Sequence, residues 1–154
     1  MAALDLPGII NQVASHALAS GYFDKVNTYE PKSAPSIHGI SAAIWMDALE
    51  PARQRSGLNV TTVLLTLMIR AYGSMLQEPL DMIDPNMLTA VNALMLAYSG
   101  DFELNGTVAN IDLIGAHSNG LAARAGYVEI DNRMQRVITI TLPLVINDVW
   151  NQVG

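Results

Sequence analysis

Cysteine is absent from this 154-residue sequence, so disulfide bonds and thiolate chemistry are excluded. Charge is scarce as well, because 14% of the residues are charged, against about 25% in a typical soluble domain. Hydrophobic residues make up 51% of the chain. A composition with so little charge favours a surface that is partly covered by another protein.

Long hydrophobic runs are also missing. The longest run, residues 63–69, is interrupted by Thr66 and ends at Arg70, well short of the ~18 residues that a membrane-spanning helix needs. The opening MAALDLPGII has an acidic residue and no basic segment, so we expect no secretory signal. A net charge of −6 and a pI near 4.8 argue against a protein that grips nucleic-acid phosphates over a broad surface.

Two stretches predict amphipathic helices within a single domain that spans residues 1–154. In the first, Asp5 is a candidate N-cap, a proline follows in the first turn and Gly21 supplies the stop. The second begins near Asp84, which precedes a proline, and stops at Gly100. The predicted apolar stripes are Leu6, Ile9, Ile10, Val13, Ala17 and Leu18 in the first helix, and Leu88, Val91, Leu94, Met95 and Tyr98 in the second. The rest of the second helix is unusually apolar, which predicts contacts on more than one side.

Alternating patterns predict strands. After a short strand that follows the first helix, they cover residues 37–49, 58–72, 108–114, 126–130 and 135–146, and the last two form a hairpin. Three long strands have one fully apolar face each, which the two helices can cover, so the sequence predicts one α+β domain. Pro143 cannot donate to a ladder, and we expect the last strand to end, bulge or lie at a sheet edge there.

The second face of these strands raises the question of what covers it. It is rich in threonine and carries Trp45 and Tyr72, and no predicted helix is left over to pack against it. An antiparallel sheet can leave such a face to water. The low charge instead favours partial burial by a neighbouring subunit, and identical chains that associate head to tail close into a ring where the rotation permits.

The sequence contains no catalytic or cofactor-binding motif, because it has no nucleophile elbow, no Walker loop and no dinucleotide fingerprint. The histidines do not have the i, i+4 spacing of a metalloprotease motif; they are His16, His38 and His117. Ser118 follows His117, but sequence neighbours are rarely a catalytic pair. Asp112 lies in a predicted strand, where an exposed-face residue is favoured over an interface hydrogen bonder. We therefore expect a protein that is not an enzyme and holds no cofactor or metal.

Two further signals concern surface contacts. Arg53, Gln54 and Arg55 form the one compact basic cluster of the sequence. A solvated loop tip is the simplest interpretation, and the alternative is a loop that reaches a partner protein or passing DNA, because the arginine fork suits carboxylates and phosphates. Trp150, near the end of the sequence, either seals the core or anchors a partner.

The order of the segments resembles that of tail terminator proteins of long-tailed (siphovirus) bacteriophages. The segments that carry the resemblance are LPGIINQVASHALASGYF, AAIWMDALEPARQRSGLNVTTVLLTLMIRAY, DPNMLTAVNALMLAY and VANIDLIGAHSNGLAARAGYVEIDNRMQRVITITLPLVINDVWNQ. Together they cover nearly the whole chain and include no catalytic motif.

The resemblance implies a structural virion subunit with a mixed or largely antiparallel sheet, two main helices packed on one face, and assembly into a homohexameric ring. Such rings are assembled in the host cytoplasm, cap the tail tube, end its polymerisation and join the tail to head–tail connector proteins of the neck. DNA passes through the lumen without specific binding, and no membrane is involved. By this resemblance, the loop EPARQRSG with Arg53, Gln54 and Arg55 contacts the tube or lumen. The loop with His117 and Asn119 is the candidate for the head-side contact.

Two other functions fit the same sequence. A head–tail connector or tail-completion neck protein has the same small α/β subunit and ring assembly. A small ligand-binding or enzymatic domain, with a pocket between sheet and helices, would need convergent titratable residues, and the sequence offers none that stand out.

Overall fold

The computed structural model describes residues 5–29, 39–51, 60–74, 83–115, 120–130 and 132–151. Within these ranges the chain forms two α-helices and six β-strands. In chain order they are α1 (Leu6–Ser20), β1 (Lys25–Asn27), β2 (Ile40–Pro51), β3 (Val60–Ser74), α2 (Ile83–Gly100), β4 (Asn110–Ile111), β5 (Ala122–Ile130) and β6 (Arg133–Asn151).

The strands form one mixed sheet with the order β1-β2-β3-β6-β4. β1 runs parallel to β2, and the other neighbouring strands are antiparallel. β5 pairs with the first half of β6 on the side away from β3, and β4 pairs with β6 farther along that same side. The predicted α+β class with a mixed, largely antiparallel sheet is confirmed.

The ends of α1 are set by local chemistry. The Asp5 side chain accepts a hydrogen bond from the Gly8 N–H at 3.1 Å, which satisfies one of the free donors of the first turn. Gly21 ends the helix with a φ of 77°, a left-handed conformation that favours glycine. Its N–H donates to the Leu18 carbonyl at 3.4 Å. The predicted cap and stop are confirmed.

The hydrophobic core lies between the two helices and one face of the sheet. Alternate residues of the three long strands point to this face, as the period of two in their sequences requires. Its fully buried members include Ile44, Leu65, Leu67, Ile69, Leu142 and Leu144 from the strands, and Val13, Ala17, Met87, Leu94 and Tyr98 from the helices. The predicted packing of both helices on one face is confirmed.

β6 runs through Pro143, where we expected it to end, bulge or lie at an edge. Pro143 stands opposite Thr66 of β3, and its carbonyl accepts from the Asp112 N–H at 2.9 Å on the opposite side. In an antiparallel strand the N–H and C=O of one residue point to the same side. The missing donor therefore faces the position where the partner of β6 changes from β4 to β5, so no bond to β3 is lost.

The strand predicted over residues 108–114 is much shorter in the structure. β4 comprises two residues, extended by single hydrogen bonds from Ala109 to the Val145 carbonyl and from Asp112 to the Pro143 carbonyl. The chain then turns away, because the Leu113 N–H donates to the Ile111 carbonyl at 2.9 Å. β5 begins soon afterwards at Ala122, earlier than the predicted residue 126.

Candidate assembly surfaces

The second face of the sheet, opposite the helices, is not bare. Its ends are buried within the single chain, at Ser41, Thr62, Leu64, Tyr72, Val137 and Val145, and Ala43 and Pro143 are buried between them. A central band is half-buried and consists of Trp45, Thr66, Met68, Arg70, Thr139 and Thr141. The sequence interpretation that nothing covers this face is therefore wrong for its ends, and only the central band stays partly open.

Arg70 organises the central band. Its Nε donates to Thr139 Oγ1 at 3.0 Å across β3 and β6. Its Cζ lies 5.3 Å from the ring centroid of Trp45 and 6.0 Å from that of Tyr72. Both distances suit cation–π attraction, which stabilises a cation that is half removed from water. The band thus holds one positive charge between two aromatic rings.

Gln135 is an unusual member of the same face. Its side chain is 0% exposed, and neither its Nε2 nor its Oε1 has a hydrogen-bond partner in the described part of the chain. It lies opposite Val128 of β5 and two residues before Val137, beside a cluster that contains Tyr72. Burying an amide without partners costs free energy, so the Gln135 side chain destabilises the folded chain.

The outer sides of the two helices form a surface whose described side chains carry no charge, and we call it the helical surface. Its exposed members are Pro7, Asn11, Ser15, Leu18 and Ala19 of α1, and Pro85, Asn86, Leu88, Thr89, Asn92, Leu96 and Ser99 of α2. Leu88 is 62% exposed and Leu96 is 73% exposed. Surfaces of small domains usually carry about 25–35% charged residues, so the helical surface is atypical of a face that remains in water.

Two leucines of the predicted stripes lie on this surface and not in the core. Leu18 ends α1 on its exposed side, and Leu88 is displaced by Met87, which is fully buried. In α2 the buried side is rotated by about one residue from the predicted stripe, because the helix packs through Met87, Ala90, Val91, Leu94 and Tyr98. The prediction for Leu18 and Leu88 is wrong, and the predicted contacts of α2 on a second side remain a prediction.

A second apolar patch lies at the sheet edge formed by β4 and β5. It contains Phe102, Leu113 and Ile114, of which Ile114 is 94% exposed. The backbone at its base is held by the Leu121 N–H, which donates to the Leu113 carbonyl at 3.3 Å. Gly120 packs against the same carbonyl with a φ of +81°, and a Cβ there would lie 3.0 Å from the Leu113 oxygen. The residue before Ile114 is therefore held by backbone hydrogen bonds.

A surface cavity of about 280 Å³ lies near the opposite sheet edge. It is lined by Gly21 and Tyr22 after α1, Gly39 and Ile40 at the start of β2, and Asn86 and Thr89 in α2. These lining residues carry no charge. The carboxylate of Asp24 packs against Gly39, where a side-chain Cβ would overlap it.

A polar contact joins α1 to the end of α2. His16 Nε2 and Asp101 Oδ2 are 2.8 Å apart, and the His16 ring meets Tyr98 edge to face at 5.6 Å. The Tyr98 hydroxyl donates to the Val13 carbonyl at 3.1 Å, and burial raises the Tyr98 pKa. The Asn105 N–H and then His16 lower the Asp101 pKa, although partial burial opposes them. The cluster is structural, since each group is satisfied by a protein partner.

β5 and its partner strand carry charged side chains near their hairpin. Arg124 and Glu129 are exposed on β5. Arg136 of β6 stacks on the exposed Tyr127 ring at 4.5 Å and donates to the Gly126 carbonyl at 3.2 Å. Charged side chains are thus exposed along β5, whereas the described side chains of the helical surface carry no charge.

The site residues predicted from sequence lie outside what the structure describes. Arg53, Gln54 and Arg55 fall in residues 52–59, and His117 and Asn119 fall in residues 116–119. Trp150 belongs to β6 by its backbone, and its side chain is outside the described set. Their roles in partner or lumen contact stay predictions.

One further sequence interpretation is wrong. Asp112 was expected on an exposed face, but it is 2% exposed. Its backbone pairs with Pro143 where β4 ends, in the corner between β4 and the turn that follows. The alternation of residues in the sequence could not show this burial, because β4 ends at Ile111, three residues before the predicted end of the strand at residue 114.

The described residues hold no group of three or more histidine, aspartate or glutamate side chains that could bind a metal. Neither described helix is long and apolar enough to cross a membrane. Sequence reasoning missed the functional candidates Ile114, Arg70 and the cavity. For Ile114 a signal existed, since an isoleucine next to a glycine-rich loop breaks the rule that loops are polar.

No protein-family model matches the sequence, and no curated protein matches it. Among solved structures, the chain is similar to one described as the PVC sheath/tube terminator, in the extended state, of an extracellular contractile injection system. The two share 11% sequence identity with a TM-score of 0.44. The match covers 100% of this chain and 60% of that chain, so this chain spans 60% of the length of the terminator it matches.

Proposed function

We propose that this chain is the subunit of a ring that terminates the tube of a tail-like particle. The ring caps the end of the tube, stops its polymerisation and connects the tail to the neck proteins next to the head. Its partners are other copies of itself, the tube protein and the connector proteins. The particle class follows the resemblance of segment order to siphovirus tail terminators.

The uncharged helical surface carries this proposal. Leu18, Leu88 and Leu96 are exposed there among amides and hydroxyl groups. Burying such a surface against another protein requires no charged group to leave water, which would cost several kcal/mol per ion. The buried centres of protein interfaces are likewise depleted of charge. A large contact on the helix side therefore fits this chain better than a free surface does.

The overall charge fits the passage of DNA through the ring. The chain has a net charge of −6, and the DNA backbone is also negative. A subunit with a net negative charge is atypical of proteins that hold phosphates over a broad basic surface. DNA can then slide through the lumen without being bound.

Tube capping is tested with polymerising tail tube protein. The purified chain is added during polymerisation, and tube lengths and ends are measured by electron microscopy. We expect tubes to stop growing and to carry a ring at one end. Tubes of unchanged length with bare ends would contradict the proposal, and firm binding to a portal or adaptor ring instead would favour the head–tail connector function.

A charge variant tests whether the helical surface carries the function. Leu96→Lys places a charge on that surface, and we expect it to abolish capping. Because Leu96 is 73% exposed, its replacement should change the free energy of unfolding by less than about 0.5 kcal/mol. Met134→Lys is the matched control, because it makes the same change at an exposed apolar residue near the hairpin tip. Equal loss of capping by both variants would show that capping does not depend specifically on the helical surface.

A further inference from the structure

We propose that the sheet face opposite the helices binds a carboxylate side chain from an acidic segment of a partner protein, held between Arg70 and Arg124. This site goes beyond the proposed function, because it lies across the sheet from the helical surface and involves neither the ring nor the tube. The juxtaposition that carries it is two guanidinium groups on one face, one on each side of Thr139, with no acidic partner among the described residues.

The strand register places the two arginines on the same face. Thr139 of β6 stands opposite Arg70 of β3 on one side and opposite Arg124 of β5 on the other. Directly opposed residues of antiparallel strands share a face. Neighbouring strands lie about 4.8 Å apart, so the Cα atoms of the two arginines are about 10 Å apart. Only a short threonine side chain lies between them, and both long side chains can reach one anion above it.

Arg70 is held in place and still has donors to offer. Its Nε donates to Thr139 Oγ1 at 3.0 Å, and its Cζ lies 5.3 Å from the ring centroid of Trp45 and 6.0 Å from that of Tyr72. These contacts restrict the guanidinium group before a ligand arrives, which reduces the entropy lost on binding. Among the described residues, no acceptor contacts Nη1 or Nη2. These two groups can form the paired hydrogen bonds with which arginine holds a carboxylate.

The described ranges of the chain supply no counter-ion for the two arginines. Arg70 is half-buried and Arg124 is exposed, and within those ranges neither forms an ion pair. Glu50 stands opposite Leu64, which is about 20 Å from Arg70 along the strand. Asp112 is 2% exposed and has a partner of its own. Charges that are withdrawn from water are normally paired, so this face fits a negative group that another molecule supplies.

The surroundings of the two arginines favour a protein over a nucleic acid. Trp45, Met68 and Thr141 lie half-buried in the adjoining row of the same face. Tryptophan, methionine and arginine are enriched in protein interfaces. A nucleic acid is held by a stripe of many cations, whereas this chain has a net charge of −6. That net charge repels a phosphate chain, and a short-range bond to one carboxylate remains favourable.

A fluorescently labelled hexaglutamate peptide tests the site by anisotropy. Arg70→Gln and Arg124→Gln should each weaken its binding by about tenfold or more, because each removes a charged pair of donors. Arg136→Gln is the matched control, since Arg136 is also a half-buried arginine on an aromatic ring but lies opposite Tyr127 on the other face of the sheet. It removes the same net charge and should change binding by less than about twofold at about 0.15 M NaCl, where distant charges are screened.

NMR spectroscopy of the wild-type chain locates the contact. Hexaglutamate should shift the Nε–H signals of Arg70 and Arg124 and the indole N–H signal of Trp45, and it should leave the Nε–H signal of Arg136 unchanged. Arg124 is exposed, so Arg124→Gln is a folded test of the site even where Arg70→Gln loses stability.

Unshifted Arg70 and Arg124 signals at millimolar peptide, or equal weakening of binding by Arg136→Gln, would overturn the inference. A thymidine oligonucleotide that binds more tightly than hexaglutamate through the same two arginines would overturn it in favour of a phosphate backbone. Self-association that is lost in Arg124→Gln would overturn it in favour of a second copy of the chain. Tube capping is measured separately with Leu96→Lys, so failure of this site leaves the proposed function standing.

Discussion

Arg70 carries a positive charge on a half-buried sheet face, and its neighbours explain why the fold tolerates it. Trp45 and Tyr72 flank the guanidinium group, and Thr139 accepts its Nε hydrogen bond. The rings lie on β2 and β3 and the threonine on β6, so one side chain ties three strands together. The sequence shows that polar and apolar residues alternate along these strands. The cross-strand register then places the two rings and the threonine beside Arg70.

Gln135 is the position where a single substitution should stabilise the protein. Its amide is buried and unpartnered in the described part of the chain, so Gln135→Met keeps the shape and removes the desolvation cost. We expect the free energy of unfolding to rise by about 1–2 kcal/mol, measured by urea denaturation. Gln135→Glu is the control and should destabilise, because it buries a charge. A fall in stability for Gln135→Met would mean that the amide has a polar partner.

Asp101 should make stability depend on pH in the acid range. The Asn105 N–H bond is the main cause of its lowered pKa, so the carboxylate stabilises the fold above its ordinary pKa of 3.8. That contribution is lost as the pH falls through the lower pKa of the folded state.

Asp101→Asn should therefore cost roughly 0.5–1 kcal/mol at neutral pH. The difference from wild type should shrink once the pH falls below 3.8, as measured by urea denaturation across the acid range. A difference that stays constant down to the acid limit would show that the charge of Asp101 is not involved.

At the level of single elements, β6 is the central strand of the fold. It pairs with β3 along nearly its whole length and with β5 and then β4 on its other side. Pro143 stands where the partner of β6 changes from β5 to β4. The missing N–H of the proline therefore faces the junction between these two strands. In the helices, local caps determine where each helix ends, and packing against the sheet determines which side of the helix is buried.

The junction between β1 and β2 supplies a prediction about backbone strain. Gly39 has a φ of +74°, and a Cβ there would overlap the Asp24 carboxylate. Gly39→Ala should destabilise by more than the roughly 1–2 kcal/mol of left-handed strain alone. In Gly39→Ala with Asp24→Ala the overlap is gone, so the double variant should cost less than the sum of the single variants. Strict additivity in thermal unfolding would contradict this account.

For the whole molecule, the low charge of the helical surface predicts how assembly responds to salt. The described side chains of this surface carry no charge, and the proposed function places a large protein contact there. We expect the dissociation constant of the ring to change by less than about threefold between about 0.05 and 0.5 M NaCl, because screening acts on charges and not on apolar burial. Sedimentation at several salt concentrations measures it. A loss of association by more than about tenfold would place charged side chains, such as Arg124 and Glu129, in the contact.

Most of the fold could be predicted from local signals, and little of the candidate site could. The N-cap at Asp5, the stop at Gly21 and the alternation of the long strands act over a few residues, and the structure confirms them. Ile114 and the cavity lie at opposite edges of the sheet, and strand order places them there. No periodicity within the sequence predicts such surface features.

The sequence alone determined where the helices start and stop, which strand faces are apolar, and that one face would be covered by both helices. These features depend on caps and on side-chain periods, which a residue and its near neighbours decide. Tertiary structure decided the rest: Met87 and not Leu88 enters the core, Asp112 is buried, the ends of the second sheet face are closed, and Ile114 and the cavity lie on opposite edges. Each of these depends on strand order and register, which join residues far apart in the chain and leave no local trace in it.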